Sequence, residues 1–307
     1  MKTKPSVEVS LRGRKILRDV VSKTVQYAIN LVLVAFFIFP LVFMIVSSFK
    51  TNNLQIFADL RSIKAFMLPA NPSWVNYIAV FQNSSFPRFL LNSIGVSAAM
   101  IFLSLTVNSM AAYALSRMRW KGQKIILTII IATLIVPFET IAIPLLLVVS
   151  KLPNISVQNG MLALTKGWLD TYQVQIIPFV AGAFSIFLFY QFFLDIPREL
   201  DEAALVDGAS RFQIYRLIVV PLSGPVFATV AIVTFMGSWN SFLWPVMTIQ
   251  SEEIRPVMVG LQYFFQRTTE WGQVMAYTTM ITLPVLAVFM AFQNAFVKSI
   301  ATTGIKG

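Results

Sequence analysis

Apolar residues fall in long, nearly uncharged runs at 25–49, 89–116, 125–150, 173–194, 217–250 and 272–297. A helix rises 1.5 Å per residue, so about 20 residues cross the roughly 30 Å hydrocarbon core, and each run is long enough. Spanning barrels instead alternate polar and apolar positions over segments of about ten residues. The pattern predicts an all-α polytopic membrane protein with six transmembrane helices. Prolines at Pro137, Pro144, Pro178, Pro221 and Pro245 lie in or at the edges of these runs. Each frees a backbone carbonyl and bends the axis, which is tolerated where a neighbouring helix or a cavity satisfies the backbone. Several broken spans suit a protein that moves or lines a pathway; static kinks in a packed bundle are the other reading.

Composition supports a lipid-embedded chain. Of the 307 residues 57% are hydrophobic and 12% charged, with a mean hydropathy of +0.73, against about 25% charged in soluble domains. The net charge of +11 reads as loop topology rather than nucleic-acid binding. Seven basic residues precede the first run, and Arg117, Arg119, Lys121 and Lys124 cluster after the second. With the N-terminus inside, the segments 1–24, 117–124, 195–216 and 298–307 face the cytoplasm and hold 16 of the 24 basic residues, as the positive-inside rule requires. Both termini are then cytoplasmic. The first 26 residues are too long and polar for a cleaved signal. Trp74, Trp168 and Trp271 fall in outer loops, as interfacial belt residues or as contacts to an external partner. The chain has no cysteine and no histidine, which removes thiolate and imidazole metal sites, cysteine nucleophiles and the commonest general base.

The most charged interior stretch, "PRELDEAALVDGASRFQIYRLIVVPLSGP" (197–225), lies between the fourth and fifth runs. The fourth helix should stop at Pro197. "RELDEAALVDGAS" then supplies helix formers with acidic residues in the first turn. Gly208 permits a sharp break, and a second helix runs on up to Pro221. Ala203 and Ala204 let a partner approach closely, and Leu200 and Leu205 offer apolar anchors. An amphipathic loop helix lying on lipid fits the same residues.

Here a resemblance enters. Glu202-Ala203-Ala204, then Gly208, Ile218 and Val220-Pro221 at the spacing E-A-A-x3-G-x9-I-x-L-P, resemble the EAA loop of ATP-binding-cassette importer permeases, with Val220 where leucine is usual. The stretch 90–124, "WNSFLWP" (239–245) and the ending "TTGIKG" are similar to the carbohydrate-uptake branch, maltose-type second permease. The resemblance spans roughly 25–297 and the C-terminal tail 298–307, and leaves the basic tail 1–24 unexplained. It implies a subunit of the prokaryotic inner membrane forming half of a translocation pathway for a sugar, oligosaccharide or polyol derivative. It implies a coupling loop at 195–221 that docks on a cytoplasmic ATPase dimer through Glu202, Ala203, Ala204 and Gly208, with Asp201 and Asp207 nearby. The further implied partners are a second homologous permease and an extracytoplasmic solute-binding protein, besides membrane lipid.

No phosphate-binding G-x4-G-K-[ST] occurs; "GMLALTKG" (160–167) has the wrong spacing. The chain is therefore expected to be no enzyme and to hold no cofactor, with ATP and magnesium bound by the partner ATPase. Glu139 is the one carboxylate inside a run. A charge at that depth costs about 2.5–3.5 kcal/mol or more, so three readings stand: a hydroxyl-binding group on the solute path, a bond to the companion permease or Gln191, or a helix end in water. Trp239, Asn240 and Trp244 offer the aromatic faces and amide that sugars favour, or simple helix packing. An ion- or proton-coupled secondary transporter would need more intramembrane charges and usually an internal repeat. An intramembrane enzyme would lack paired carboxylates, histidine and cysteine.

Overall fold

A computed structural model describes the backbone of residues 5–158, 161–265 and 269–304. Three helices are long and apolar enough to cross a membrane unaided, at Arg18–Ser48, Phe86–Ser116 and Trp271–Phe292. Three bent pairs supply the others: Gln123–Ile135 with Phe138–Val149 at 107°, Tyr172–Phe179 with Ala183–Asp195 at 42°, and Arg211–Leu222 with Gly224–Trp239 at 82°. Six spans result when each pair counts once, and proline or glycine marks every break. Pro137 ends the first member of its pair, Pro178 sits in a 3-10 turn before the second break, and Ser223-Gly224-Pro225 makes the third. Pro221 does not stop the helix after the charged stretch; the turn comes two residues later, where Gly224 opens the next helix.

The elements are α1 (Pro5–Ser48), α2 (Asn53–Asp59), α3 (Val75–Asn83), α4 (Phe86–Ser116), α5 (Gln123–Ala132), α6 (Phe138–Val149), β1 (Pro153–Gln158), β2 (Met161–Lys166), α7 (Tyr172–Ile176), α8 (Ala183–Asp195), α9 (Glu199–Val206), α10 (Arg211–Ile214), α11 (Val220–Leu222), α12 (Gly224–Trp239), α13 (Leu243–Thr248), α14 (Val257–Gly260) and α15 (Trp271–Gly304). The basic N-terminal segment is helical from Pro5 and continuous with the first span. α1 is one helix of 44 residues, about 66 Å at 1.5 Å per residue. Residues 1–4 and 305–307, with the end of the "TTGIKG" motif, lie outside the described residues, as does Gly160 of "GMLALTKG". β1 and β2 pair antiparallel, Pro153 opposite Lys166 through Gln158 opposite Met161. That hairpin was not foreseen, although Asn-Gly at 159–160 between two apolar segments is a strong sequence signal for one.

The chain divides into two compact units. One comprises the chain to Val80 with the start of α15, to Thr279. Inside it Lys50 is buried, 2.9 Å from Asp59, and its Nζ donates to the carbonyl of Lys64. The Asn76 amide donates to the carbonyls of Ser48 and Lys50, closing the end of α1. Gly272 packs against that amide so tightly that a Cβ would lie 2.5 Å from Asn76 Nδ2.

The other unit is built on α4, against which α8 and α12 pack. Its core joins Ala112, Leu115, Ile186, Phe189, Phe193, Val226 and Val230. The buried face of α4 is rich in small polar residues, Ser93, Ser97, Ser104, Asn108 and Ser109, which allow helices to approach closely where lipid supplies no hydrophobic drive. Asn108 is fully buried, and its amide holds the broken fourth span: Nδ2 donates to the carbonyl of Val180 at 3.0 Å, and Oδ1 accepts from Gly182 N–H at 3.0 Å. Those two groups are the ones the break leaves without helical partners.

Candidate functional site

The charged stretch folds as a helix, a glycine corner and a second helix. α8 ends at Asp195, two residues before Pro197. α9 follows with Glu199, Asp201 and Glu202 in its first turn. It closes in a Schellman motif: Gly208 N–H donates to Leu205 C=O and Ala209 N–H to Ala204 C=O, while Gly208 takes φ 82°, a conformation favouring glycine. Ser210 then caps α10 in a reciprocal capping box with Gln213. The helix proceeds through a π turn at Tyr215–Val219. Two hydroxyls tie it to α4, Tyr113 donating to the carbonyl of Arg211 and Tyr215 sharing a 2.7 Å bond with Ser109.

Of the six residues assigned to coupling, Glu202, Ala203, Asp207 and Gly208 are exposed and Ala204 is half-buried. Asp201 is turned inward. It is 6% exposed and lies 3.5 Å from Nε of Arg117, the first residue after α4. α9 is amphipathic in charge as well as in apolarity, and the carboxylate on its inner face meets the basic loop. Arg117 was legible only as one of four clustered cations. Val206, 87% exposed, extends the outer face with Leu205.

A second feature lies among α4, α8, α12 and α13, a cavity of about 440 Å³. Its polar lining is hydroxyl and amide, Ser104, Gln175, Ser185, Thr234, Ser238 and Ser241 among it. Aromatic walls come from Phe138, Phe179, Phe242 and Trp244, and no charged side chain lines it among the described residues. Ser238 donates to Ser97 at 2.8 Å, and Ser104 and Thr234 approach to 3.3 Å. The break that Asn108 holds contributes Phe179, Gly182 and Ser185 to the wall.

Of the expected pathway residues, only Trp244 lines this cavity. It is buried, its indole N–H donates to the carbonyl of Val174 at 2.8 Å, and its ring meets Phe138 and Phe179 edge-on. Trp239 is buried against Phe235. Asn240 is exposed and donates back to the carbonyl of Met236. Glu139 is not a buried charge within this chain. The 107° bend at Pro137 places it in the first turn of a new helix, exposed, where the helix dipole favours a carboxylate. No described side chain, Gln191 included, bonds to it. Among the described residues the buried charges are Lys50, Arg117 and Asp201.

At the opposite end of α4, Asn92 donates to the carbonyls of Glu253 and Arg255 and accepts from Tyr172. Asp170 is exposed, at φ 58°, and its Oδ1 accepts from the N–H groups of Gln250 and Ser251 and from the Ser251 hydroxyl. Partial desolvation would raise its carboxyl, but the Ser251 and Gln250 hydrogen bonds outweigh it and hold the group below the ordinary value. A depressed carboxyl stabilises the folded loop above the unfolded pKa of about 3.9 and loses that contribution as pH falls through the folded pKa. Amide-exchange protection at Gln250 and Ser251 is therefore expected to hold level from neutral pH to about 4 and to fall below it. Asp170→Asn should lower protection at neutral pH and remove the acid step.

The family model described as "binding-protein-dependent transport system inner membrane component" matches residues 101–302, taking in α9 and nearly all of the cavity lining. The chain belongs to this family. The permease is 29% identical to the trehalose/maltose transport system permease protein MalG of Thermococcus litoralis, over 95% of this chain and 100% of that one. It is 31% identical to the lactose transport system permease protein LacG of Rhizobium radiobacter, covering 92% and 96%. To the sn-glycerol-3-phosphate transport system permease protein UgpE of Salmonella choleraesuis it is also 31% identical, covering 74% and 76%. In fold it matches a chain of a bacterial ABC transporter involved in import of the acidic polysaccharide alginate, with TM-score 0.75 and 22% identity over 91% and 98% of the two chains. A multi-pass inner membrane component of a binding-protein-dependent transport system is thus the identity of the chain.

Proposed function

We propose that this permease forms half of the translocation pathway of an ATP-driven importer for a neutral sugar, oligosaccharide or polyol, and that α9 is its coupling helix. Glu202, Ala203, Asp207 and Gly208, with Ala204 behind them, meet a separate ATPase that binds ATP and magnesium. Asp201 positions the helix through Arg117. Both termini and α9 face the cytoplasm. A second, homologous permease completes the path, and an extracytoplasmic binding protein delivers solute to it. A structural relative, the bacterial alginate ABC transporter in complex with alginate pentasaccharide-bound periplasmic protein, supports that last partner.

The observation that carries the reading is the uncharged, hydroxyl-lined cavity in the same compact unit as the exposed small-residue helix α9. Relatives named for glycerol phosphate and alginate handle anions, whereas relatives named for lactose and maltose handle neutral sugars. An anion entering a cavity without a counter-charge leaves water uncompensated; a neutral polyol exchanges its hydrogen bonds with water for bonds to hydroxyls and stacks on aromatic faces. ATP-driven closure of the ATPase pair moves α9 and reorients the spans, because ATP binds the two states with different affinity.

The test is reconstitution with the subunits encoded beside it, measuring ATPase stimulation and uptake over a panel of binding-protein complexes. Neutral oligosaccharides are expected to stimulate both, and glycerol phosphate and uronates neither. Uptake by this chain alone, or driven by an ion gradient without ATP, overturns the reading.

A further inference from the structure

Beside α9 lies a second cavity, of about 350 Å³, which shares Arg117, Asp201 and Glu202 with the proposed coupling element and adds Arg119, Arg198 and Arg211, to which that reading gives no role. Arg117, Arg119, Arg198 and Arg211 line it with the carboxylates of Asp201 and Glu202, four guanidinium groups against two acids. Arg117 is the informative member. Its side chain is 1% exposed, and neither Nη1 nor Nη2 has a hydrogen-bond partner among the described residues. The Asp201 carboxylate reaches Nε only at 3.5 Å, outside hydrogen-bonding geometry, and its Oδ1 is likewise unbonded. A buried guanidinium left with free donors is costly. Arg117 is in the cavity wall with three further guanidinium groups, and a guanidinium pairs bidentately with the oxygens of a phosphate.

The position of the cavity narrows the ligand. α4 has 31 residues, about 46 Å as a helix, which is close to the 40–45 Å of hydrocarbon plus head groups. Arg117 follows its last residue, so the cavity opens at head-group depth. Trp120 and Met118, beside Arg117 and Arg119 in sequence, are exposed, and tryptophan is favoured at that level. Arg198 is already partly engaged, its Nη2 donating to the carbonyl of Ser116 at 3.3 Å. Arg119 is exposed and without a described partner.

We infer that this cavity binds a phosphate group, as carried by an anionic phospholipid of the cytoplasmic leaflet or by a soluble phosphate compound, and that the bound phosphate clamps α9 to the end of α4. The orientation rests on the functional reading above; the binding itself does not. The carboxylates set the selectivity: a phosphate accepts from the arginines, and the Arg117–Asp201 pair stays in place beside it.

The assembled transporter is placed in nanodiscs of phosphatidylcholine with or without phosphatidylglycerol, and bound lipid is counted by native mass spectrometry. Inorganic phosphate added to the phosphatidylcholine sample is the second probe. Retention of phosphatidylglycerol by the wild type and roughly tenfold weaker retention by Arg119→Gln/Arg198→Gln are expected, with Arg119→Lys close to wild type. Protection by inorganic phosphate alone, lost in the same variant, assigns the cavity to a soluble phosphate instead of a lipid. If the double variant does not assemble, single Arg119→Gln carries the comparison, since that side chain bonds to nothing described. Equal binding of both probes by wild type and variant overturns the inference. So does a variant that keeps its lipid but fails to hold the ATPase, since the arginines would then serve an acidic protein segment. Failure of uptake with intact lipid binding would count against the importer reading and leave this one standing.

Discussion

Gly208→Pro is expected to abolish ATP-driven uptake while leaving the chain inserted and its six spans intact. Proline fixes φ near −65° and has no N–H, whereas Gly208 stands at φ 82° and donates to Leu205. The variant therefore loses the Schellman corner and misdirects α10, and it also disfavours the helical backbone of Asp207 before it. Space is not the constraint, since a Cβ at 208 would meet nothing within 4 Å. A graded series follows: Gly208→Asn retains most uptake because asparagine tolerates the left-handed region, and Gly208→Ala loses more, at about 1–2 kcal/mol of backbone strain. Glu202→Lys reverses a charge on the exposed face without touching the fold and should stop uptake as completely as the proline. Normal transport by both variants would refute the coupling role of α9.

The second large effect is on stability. Asn108→Leu keeps the approximate volume but removes the donor to Val180 and the acceptor for Gly182. Orphaned buried polar groups cost about 1–3 kcal/mol each, while hydrogen bonds between membrane helices average nearer 0.6 kcal/mol because the displaced groups find other partners. The expected total is about 1–3 kcal/mol, read as a fall of several degrees in the detergent-solubilised Tm. Uptake should fall too, because the released break forms part of the cavity wall. Val107→Ala, on the exposed side of the same helix, serves as the control with no change. An unshifted Tm in Asn108→Leu would show that the break is satisfied by other groups.

The spans were legible because burial in lipid writes itself as uninterrupted apolar sequence. The corner after α9 was legible because glycine at a left-handed position and a proline-limited helix are local requirements. Pairings across long separations were not. Arg117 and Asp201 are 84 positions apart in sequence and meet only once α4 and α9 have packed. Lys50 disappears into its unit beside Asp59, although an isolated lysine after an apolar run reads as a loop residue. For Glu139 the sequence left three readings open, because the run around it is continuous in composition; the size of the bend at Pro137 selects the helix end, placing it in a first turn. Trp244 offered a sugar-stacking face on paper, yet its N–H is already committed to Val174, leaving only the ring for a solute.

The uncharged wall between α4 and α12 has a consequence for cargo choice. Serine and threonine hydroxyls each donate and accept by simple rotation, so such a wall accommodates epimers and differently linked oligomers alike. On the proposed function, discrimination among neutral solutes would be exercised upstream, at capture, with the membrane passage permissive toward them. Fitting the same chain with a different receptor should then redirect which neutral sugar the cell imports without a single change in the channel.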